Sequence, residues 1–312
     1  MRLPDFVIIG AMKCGTSTLH EQLAARSRIF MSEPKEPNFF SDDPIFERGL
    51  GCYASLFAPA EAGSICGESS THYTKRPDHP HTVERLGAAL PAARFVYVTR
   101  DPLERIVSQF IHEWTQNEVR GPIDRMVREV PRFVAYSSYA LQIEPYLRAF
   151  GPRRILLVVM EQLLARPDAE FARILRFLGD PSLEPVVWRQ DLRPRNVSQE
   201  RVRKAGLYLR LRAWTGALGL RDRLPESLKA RARTLWQMRE RPTLSEGTRS
   251  WARERLDTDL ARLGDWMGRE LRCDLWPTLA TQEPLDWRPG FSGLAGSRPF
   301  EHTQEARTPH AR

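Results

Sequence analysis

A lysine inside a glycine-flanked loop marks where this chain can do chemistry. Gly10-Ala11-Met12-Lys13-Cys14-Gly15-Thr16-Ser17-Thr18 follows the apolar run Phe6-Val7-Ile8-Ile9. The run reads as a buried strand. Thr16 onward reads as a helix to about Ala25, with hydroxyls in its first turn and Leu19 and Leu23 at helical spacing. A strand, a tight loop and a helix start together hold a phosphate. Free backbone N–H groups and the positive end of the helix dipole point at the anion, and Lys13 adds a full charge.

Gly10 and Gly15 have the spacing of the general nucleotide loop G-x-x-x-x-G-K-[ST], but Thr16 stands where that motif has its lysine. Phosphate binding survives this change and ATP or GTP hydrolysis is weakened, because a β/γ-phosphate needs the lysine at the helix start. A lysine inside the loop suits a terminal group attached to a 5′-phosphate.

Three later stretches carry further chemistry. Pro34 and Pro37 bracket Lys35-Glu36, and Phe39-Phe40 follow, so 31–40 is an extended loop. Its charged pair is either a surface turn or a carboxylate facing the phosphate loop. Ser64 to Ser70 reads as a short strand leading into Glu68-Ser69-Ser70-Thr71-His72-Tyr73. His72 titrates near neutrality when unperturbed, which makes it a rival base; it is read as a loop histidine in solvent. Phe95 to Val98 is a β-branched and aromatic strand. After it, Asp101 caps a helix and Pro102 occupies its first turn, with Ile106, Val107 and Phe110 facing inward. Arg100 at the strand end and Ser108 two turns into the helix reach one anion if this strand neighbours the first in a parallel sheet. His112 shares the face of Ser108 and is either a substrate contact or a half-buried helix residue.

Lys13-Cys14-Gly15-Thr16-Ser17-Thr18 resembles the 5′-phosphosulfate loop of sulfotransferases that use 3′-phosphoadenosine 5′-phosphosulfate (PAPS), and most of all the carbohydrate branch with its heparan sulfate enzymes and bacterial relatives. Glu36 to Phe40 resembles the Glu-x-x-Phe-Phe element that carries that branch's catalytic base. Arg100-Asp101-Pro102-Leu103-Glu104-Arg105-Ile106-Val107-Ser108 resembles its 3′-phosphate element Arg-Asp-Pro-x-x-Arg-x-x-Ser. The resemblance implies PAPS as donor and no metal, with Glu36 and Lys13 catalytic. It implies donor contacts from Lys13, Cys14, Gly15, Thr16, Ser17, Thr18, Arg100, Ser108, Tyr139 and Arg241. Acceptor contacts are implied from Lys35, Glu68, Tyr73 and His112. Ser69 stands where some relatives have a lysine, which removes any lysine contact from that segment. Asn196-Val197-Ser198 resembles the family's Asn-x-Ser element. The fold implied is α/β: a P-loop-like, mostly parallel sheet flanked by helices, the sulfotransferase fold.

Length and composition agree with one such domain. A chain of 312 residues buries a substantial core. A formal net charge of +8 suits a nucleotide and an anionic acceptor, or is a solvated basic surface. No Lys/Arg run or zinc-finger spacing points to nucleic acid. Cys14, Cys52, Cys66 and Cys273 form no CxxC pair and no disulfide framework. No metal-ligand constellation and no G-x-S-x-G elbow appears. Golgi members of the family carry an anchor; no signal peptide or spanning apolar stretch is seen here, and the expectation is a bacterial, cytoplasmic protein. The 202–224 segment reads as a solvated basic helix face, with a cover over the cleft or a membrane surface as alternatives. The domain is expected over 1–280, with Trp276 ending the core and 281–312 a flexible tail. The resemblance implies a sulfotransferase acting on a glycan or small-molecule acceptor. A P-loop nucleotide kinase or NTPase, and a non-catalytic basic glycan- or membrane-binding module, are the alternatives.

Overall fold

The structure, a computed structural model, describes residues 1–180, 185–192 and 240–294. The readings made for Asn196-Val197-Ser198 and for 202–224 lie outside the described residues.

Five strands form one sheet: β1 (Phe6–Gly10), β2 (Ile29–Met31), β3 (Ile65–Ser69), β4 (Arg94–Thr99) and β5 (Ile155–Val159). Their order is β2-β3-β1-β4-β5 and every pairing is parallel. Helices cover both faces of such a sheet, so its strands must be apolar throughout. All five residues of β1 and of β5 are accordingly buried. The chain lays β2 and β3 on one side of β1, then crosses to β4 and β5 on the other. The crevice at the C-terminal end of β1 therefore sits where the winding reverses, the place where parallel sheets bind ligands.

The helices are α1 (Thr16–Ala24), α2 (Asp43–Phe46), α3 (Leu50–Ser55), α4 (Thr82–Ala89), α5 (Pro102–Gln116), α6 (Ile123–Glu129), α7 (Arg132–Ala135), α8 (Tyr139–Phe150), α9 (Met160–Ala165), α10 (Pro167–Leu178) and α11 (Glu246–Met267), with a 3₁₀ turn at Thr71–Thr74. The α5 start forms as its sequence dictates: the Asp101 carboxylate accepts from the Leu103 and Glu104 N–H groups, both at 2.9 Å. α11 buries Ala252, Leu256, Leu260 and Leu263, one turn apart, and packs on α8. From α11, Asp259 accepts from the Ala140 and Leu141 N–H groups at 2.8 Å and so caps α8 across a tertiary contact. Among the described residues no helix is long and apolar enough to cross a membrane.

The chain does not leave the core at the boundary expected at 280/281, and 295–312 of the expected tail lie outside the described residues. Residues 282–294 fold back on the core: Leu285 is buried, Trp287 Nε1 donates to the Ile155 carbonyl at 2.8 Å, and the Arg288 N–H donates to Trp266 O at 3.0 Å. Proline and glycine here shape an ordered strap, and its aromatic residues provide the burial.

Candidate active site

The phosphate loop hangs from the end of β1 and is tied to β4, since the Ala11 N–H donates to Val98 O at 2.7 Å. Gly10 is required: a Cβ there would lie 2.0 Å from the Thr74 hydroxyl oxygen. Gly15, in the left-handed region at φ 83°, opens α1 with no side-chain cap, and the first turn holds no acidic residue. The N–H groups of that turn suit an anionic ligand. Lys13 is also left-handed, at φ 72°, and half-buried. Thr16 is buried, while Ser17 and Thr18 are partly exposed. The Cys14 side chain is wholly buried; burial pushes its thiol up to about 12 although Arg105 and Arg100 pull the other way. It fills space in the loop, and only its backbone can face a ligand.

Glu36 is held at the end of β3, the strand that neighbours β1. Its N–H donates to Ser69 O at 2.9 Å, and two residues on the Asn38 N–H donates to the Ser70 hydroxyl at 3.1 Å. Both residues have positive φ, 60° and 52°. Non-glycine residues stay in that region only where surroundings hold them, and such strain gathers at functional sites. The Thr71–Thr74 turn bonds both sides. Thr74 donates its hydroxyl to Ile9 O at 2.8 Å, and Thr71 donates to the Glu36 carboxylate at 3.3 Å. Lys35 Nζ reaches the same carboxylate at 2.7 Å. Burial works to raise the Glu36 carboxyl, but Lys35, then Lys75 and His72, outweigh it and hold it below the ordinary value. Glu36 is thus kept ionised, the state a proton acceptor needs.

Glu68 and Tyr73, expected on the acceptor side, lie beneath it. Glu68 is fully buried and accepts from the Tyr53 and Ser70 hydroxyls, each at 2.8 Å; burial pushes its carboxyl up to about 7 against those two bonds. The Tyr73 hydroxyl accepts from the Phe40 N–H at 3.3 Å. Together they support the Glu36 loop from the core, because both covered faces of β3 turn inward. His72 also departs from its expected place in solvent. It is half-buried and stacks on His79 with ring centres 4.9 Å apart; burial, then Lys75 and His79, push it down to about 4. It is neutral at pH 7 and no stronger a base than a carboxylate.

On the other flank, Arg100 directly follows β4, half-exposed. The Tyr139 hydroxyl donates to its carbonyl at 2.5 Å and accepts from its N–H at 3.2 Å. The next N–H, of Asp101, donates to Glu161 at 2.8 Å. Tyr139 is fully buried, so the donor contact expected of it is replaced by support of Arg100. Arg241 arrives beside Arg100 through Glu104: its Nη2 lies 2.5 Å from a Glu104 carboxylate oxygen that is 3.6 Å from Arg100 Nη2. Ser108 is 4% exposed, and His112, one turn on along α5, is partly exposed.

Sequence reading missed the supports: Thr71, Thr74, Glu104 and the buried Arg105. Arg105, Gln109 and Glu113 recur every four residues on α5, a pattern visible in the sequence but ordinarily that of a solvated face.

A glycine-flanked loop at the switch point of a parallel sheet, with an arginine pair beyond the next strand, is an α/β arrangement that suits an anionic ligand. Similarity narrows this. The model of the sulfotransferase family matches residues 50–185, beginning after the phosphate loop and Glu36. Human heparan sulfate glucosamine 3-O-sulfotransferase 3B1 is 28% identical over 191 residues, which are 57% of this chain and 46% of that protein. Human bifunctional heparan sulfate N-deacetylase/N-sulfotransferase 2 is 24% identical over 200 residues, 57% of this chain and 22% of that one. The chain spans about half the length of the 3-O-sulfotransferases it matches. The crystal structure of a sulfotransferase from Alicyclobacillus acidocaldarius shares the fold, with a TM-score of 0.63 at 20% identity, covering 88% of this chain and 99% of that one. Over part of its length the chain is thus similar in sequence to sulfotransferases, and it shares their fold.

Proposed function

We propose that the chain moves a sulfuryl group from PAPS to a hydroxyl of a carbohydrate acceptor. The observation that carries this reading is the Thr71–Thr74 turn, which bonds the ionised Glu36 and the base of the phosphate loop to one element. A proton acceptor and an anion cradle held to each other in this way suit in-line group transfer. The donor's 5′ end fits the loop of Lys13 to Thr18 and its 3′-phosphate fits Arg100, Ser108 and Arg241.

An acceptor hydroxyl is a poor nucleophile until a base takes its proton. Glu36 takes that proton as the new oxygen–sulfur bond forms. The bond from sulfur to the 5′-phosphate oxygen breaks, its electron pair stays on that oxygen, and adenosine 3′,5′-bisphosphate leaves. Lys13 and the loop N–H groups stabilise the charge gathering there. Lys35 keeps Glu36 ionised and, with His112, faces the acceptor. The relatives' names support a sugar hydroxyl, and an amine is the alternative that one of them favours.

Isothermal titration with adenosine 3′,5′-bisphosphate, against ATP with magnesium, tests the donor. The bisphosphate is expected to bind more tightly than ATP, and Arg100→Ala to abolish that preference. ATP binding without bisphosphate binding would replace the proposal with a nucleotide kinase or NTPase.

A further inference from the structure

Arg105 is among the largest fully buried side chains described, and as it has no exposed surface it cannot touch a ligand. All three of its nitrogens are used. Nη1 donates to Met12 O at 3.1 Å, Nε to the Ser137 hydroxyl at 2.8 Å, and Nη2 to Gln109 Oε1 at 2.5 Å. Gln109 Nε2 passes the chain on to Glu113 at 2.7 Å, and Glu113 is gripped by Arg132, with bonds of 2.8 to 3.1 Å. Among the described residues Arg105 has no direct carboxylate partner; its countercharge is reached through Gln109. Burying a cation in this way is costly, and a plain apolar contact between loop and helix would serve stability better.

Met12 directly precedes Lys13 in the loop, and Arg105 lies on α5 between Arg100 and Ser108. The Nη1 bond to Met12 therefore joins the phosphate loop to the helix that carries the second anion site. A separate tie, Ala11 to Val98, joins the loop to β4 and leaves α5 untouched. We infer that Arg105 is a positioning residue that fixes the distance between the two anion sites, so that a nucleotide phosphorylated at both 3′ and 5′ ends is bound as a chelate. Once one phosphate is seated, the second binds intramolecularly, and its gain depends on how well the spacing is set beforehand. A guanidinium suits this task because its planar fork meets three acceptors in fixed directions; a lysine keeps the charge but has no such fork.

This inference rests on the donor site proposed above. Its test is calorimetry of adenosine 5′-monophosphate, adenosine 3′-monophosphate and adenosine 3′,5′-bisphosphate on wild type, Arg105→Lys and Gln109→Met. In Arg105→Lys the bisphosphate is expected to weaken about tenfold to a hundredfold, while each monophosphate binds as to wild type, since only the linkage between sites is lost. Gln109→Met, which removes one of the three acceptors, should show the same pattern on a smaller scale and decides the matter if Arg105→Lys does not fold. Equal weakening of all three ligands, or an unchanged bisphosphate affinity, would overturn the inference. Failure of wild type to bind the bisphosphate would overturn the donor site and the inference with it.

Discussion

The two flanks of the site are held by different physics. On the donor flank, main-chain carbonyls and buried side chains set positions: Ala11 on Val98, Arg105 on Met12, Thr74 on Ile9, Tyr139 on Arg100. On the Glu36 flank, the backbone is tied to β3, but the carboxylate's charge is set by Lys35 and Lys75 in partly exposed surroundings. A donor with two phosphates needs a fixed distance, which buried hydrogen bonds maintain because salt screens them little. A base needs a protonation state, which nearby charges tune.

The largest test of this contrast is Glu36→Gln. It should lower kcat by about 10²–10⁴-fold, the usual worth of a positioned base, and leave the Kd for adenosine 3′,5′-bisphosphate unchanged. A matching loss of nucleotide affinity would erase the division between flanks. Lys13→Ala should lower kcat by roughly 10²–10³-fold, by analogy with losing one preorganised donor to a developing charge. Steady-state kinetics with saturating acceptor would show it, and unchanged turnover would remove Lys13 from the mechanism.

Next in size is a stability effect. The folded-state pKa of Glu68, about 7, lies above its ordinary 4.5, so the folded chain keeps a proton that the unfolded chain releases. That contribution is complete below about pH 4.5 and is lost as the pH rises through 7. Thermal melts of wild type should therefore fall between pH 5 and 8. Glu68→Gln should flatten the fall, by a difference on the order of 1–3 kcal/mol at the alkaline end. Identical pH slopes would mean the carboxyl is not protonated in the folded chain. The smallest effect is expected of Lys35→Met. Because Lys35 is the first of the charges holding Glu36 down, its loss should move the acid limb of the kcat/KM profile upward. A limb that stays in place would assign the ionisation to Lys75 and the backbone.

Much of the donor flank was legible because it is local. The strand, the glycine-flanked loop and the α1 start lie within one short stretch, and the Asp101-Pro102 cap reports its own helix. The burial of Glu68 and Tyr73 was not legible. A parallel strand covered on both faces shows no alternation, so β3 gives no sign of which way its carboxylate points. The row Arg105, Gln109, Glu113 misled in another way: polar residues one turn apart read as a solvent face, and only the packing of α7 and the phosphate loop against α5 makes that face internal. The 282–294 strap read as a tail because proline and glycine dominate it, while its few large residues make the contacts that order it.

What the chain's sequence decided alone is the chemistry at hand: a lysine in an anion loop, a carboxylate between prolines, an arginine at a strand end before a capped helix. Each depends on neighbours a few residues away, and backbone sterics and capping act over that range. What tertiary structure decided is which of these groups meet. Glu36 and the end of β1 share the Thr71–Thr74 turn because β3 pairs with β1, and Arg241 meets Arg100 through Glu104. Sheet order and helix packing, which bury apolar surface from the whole chain at once, set those distances.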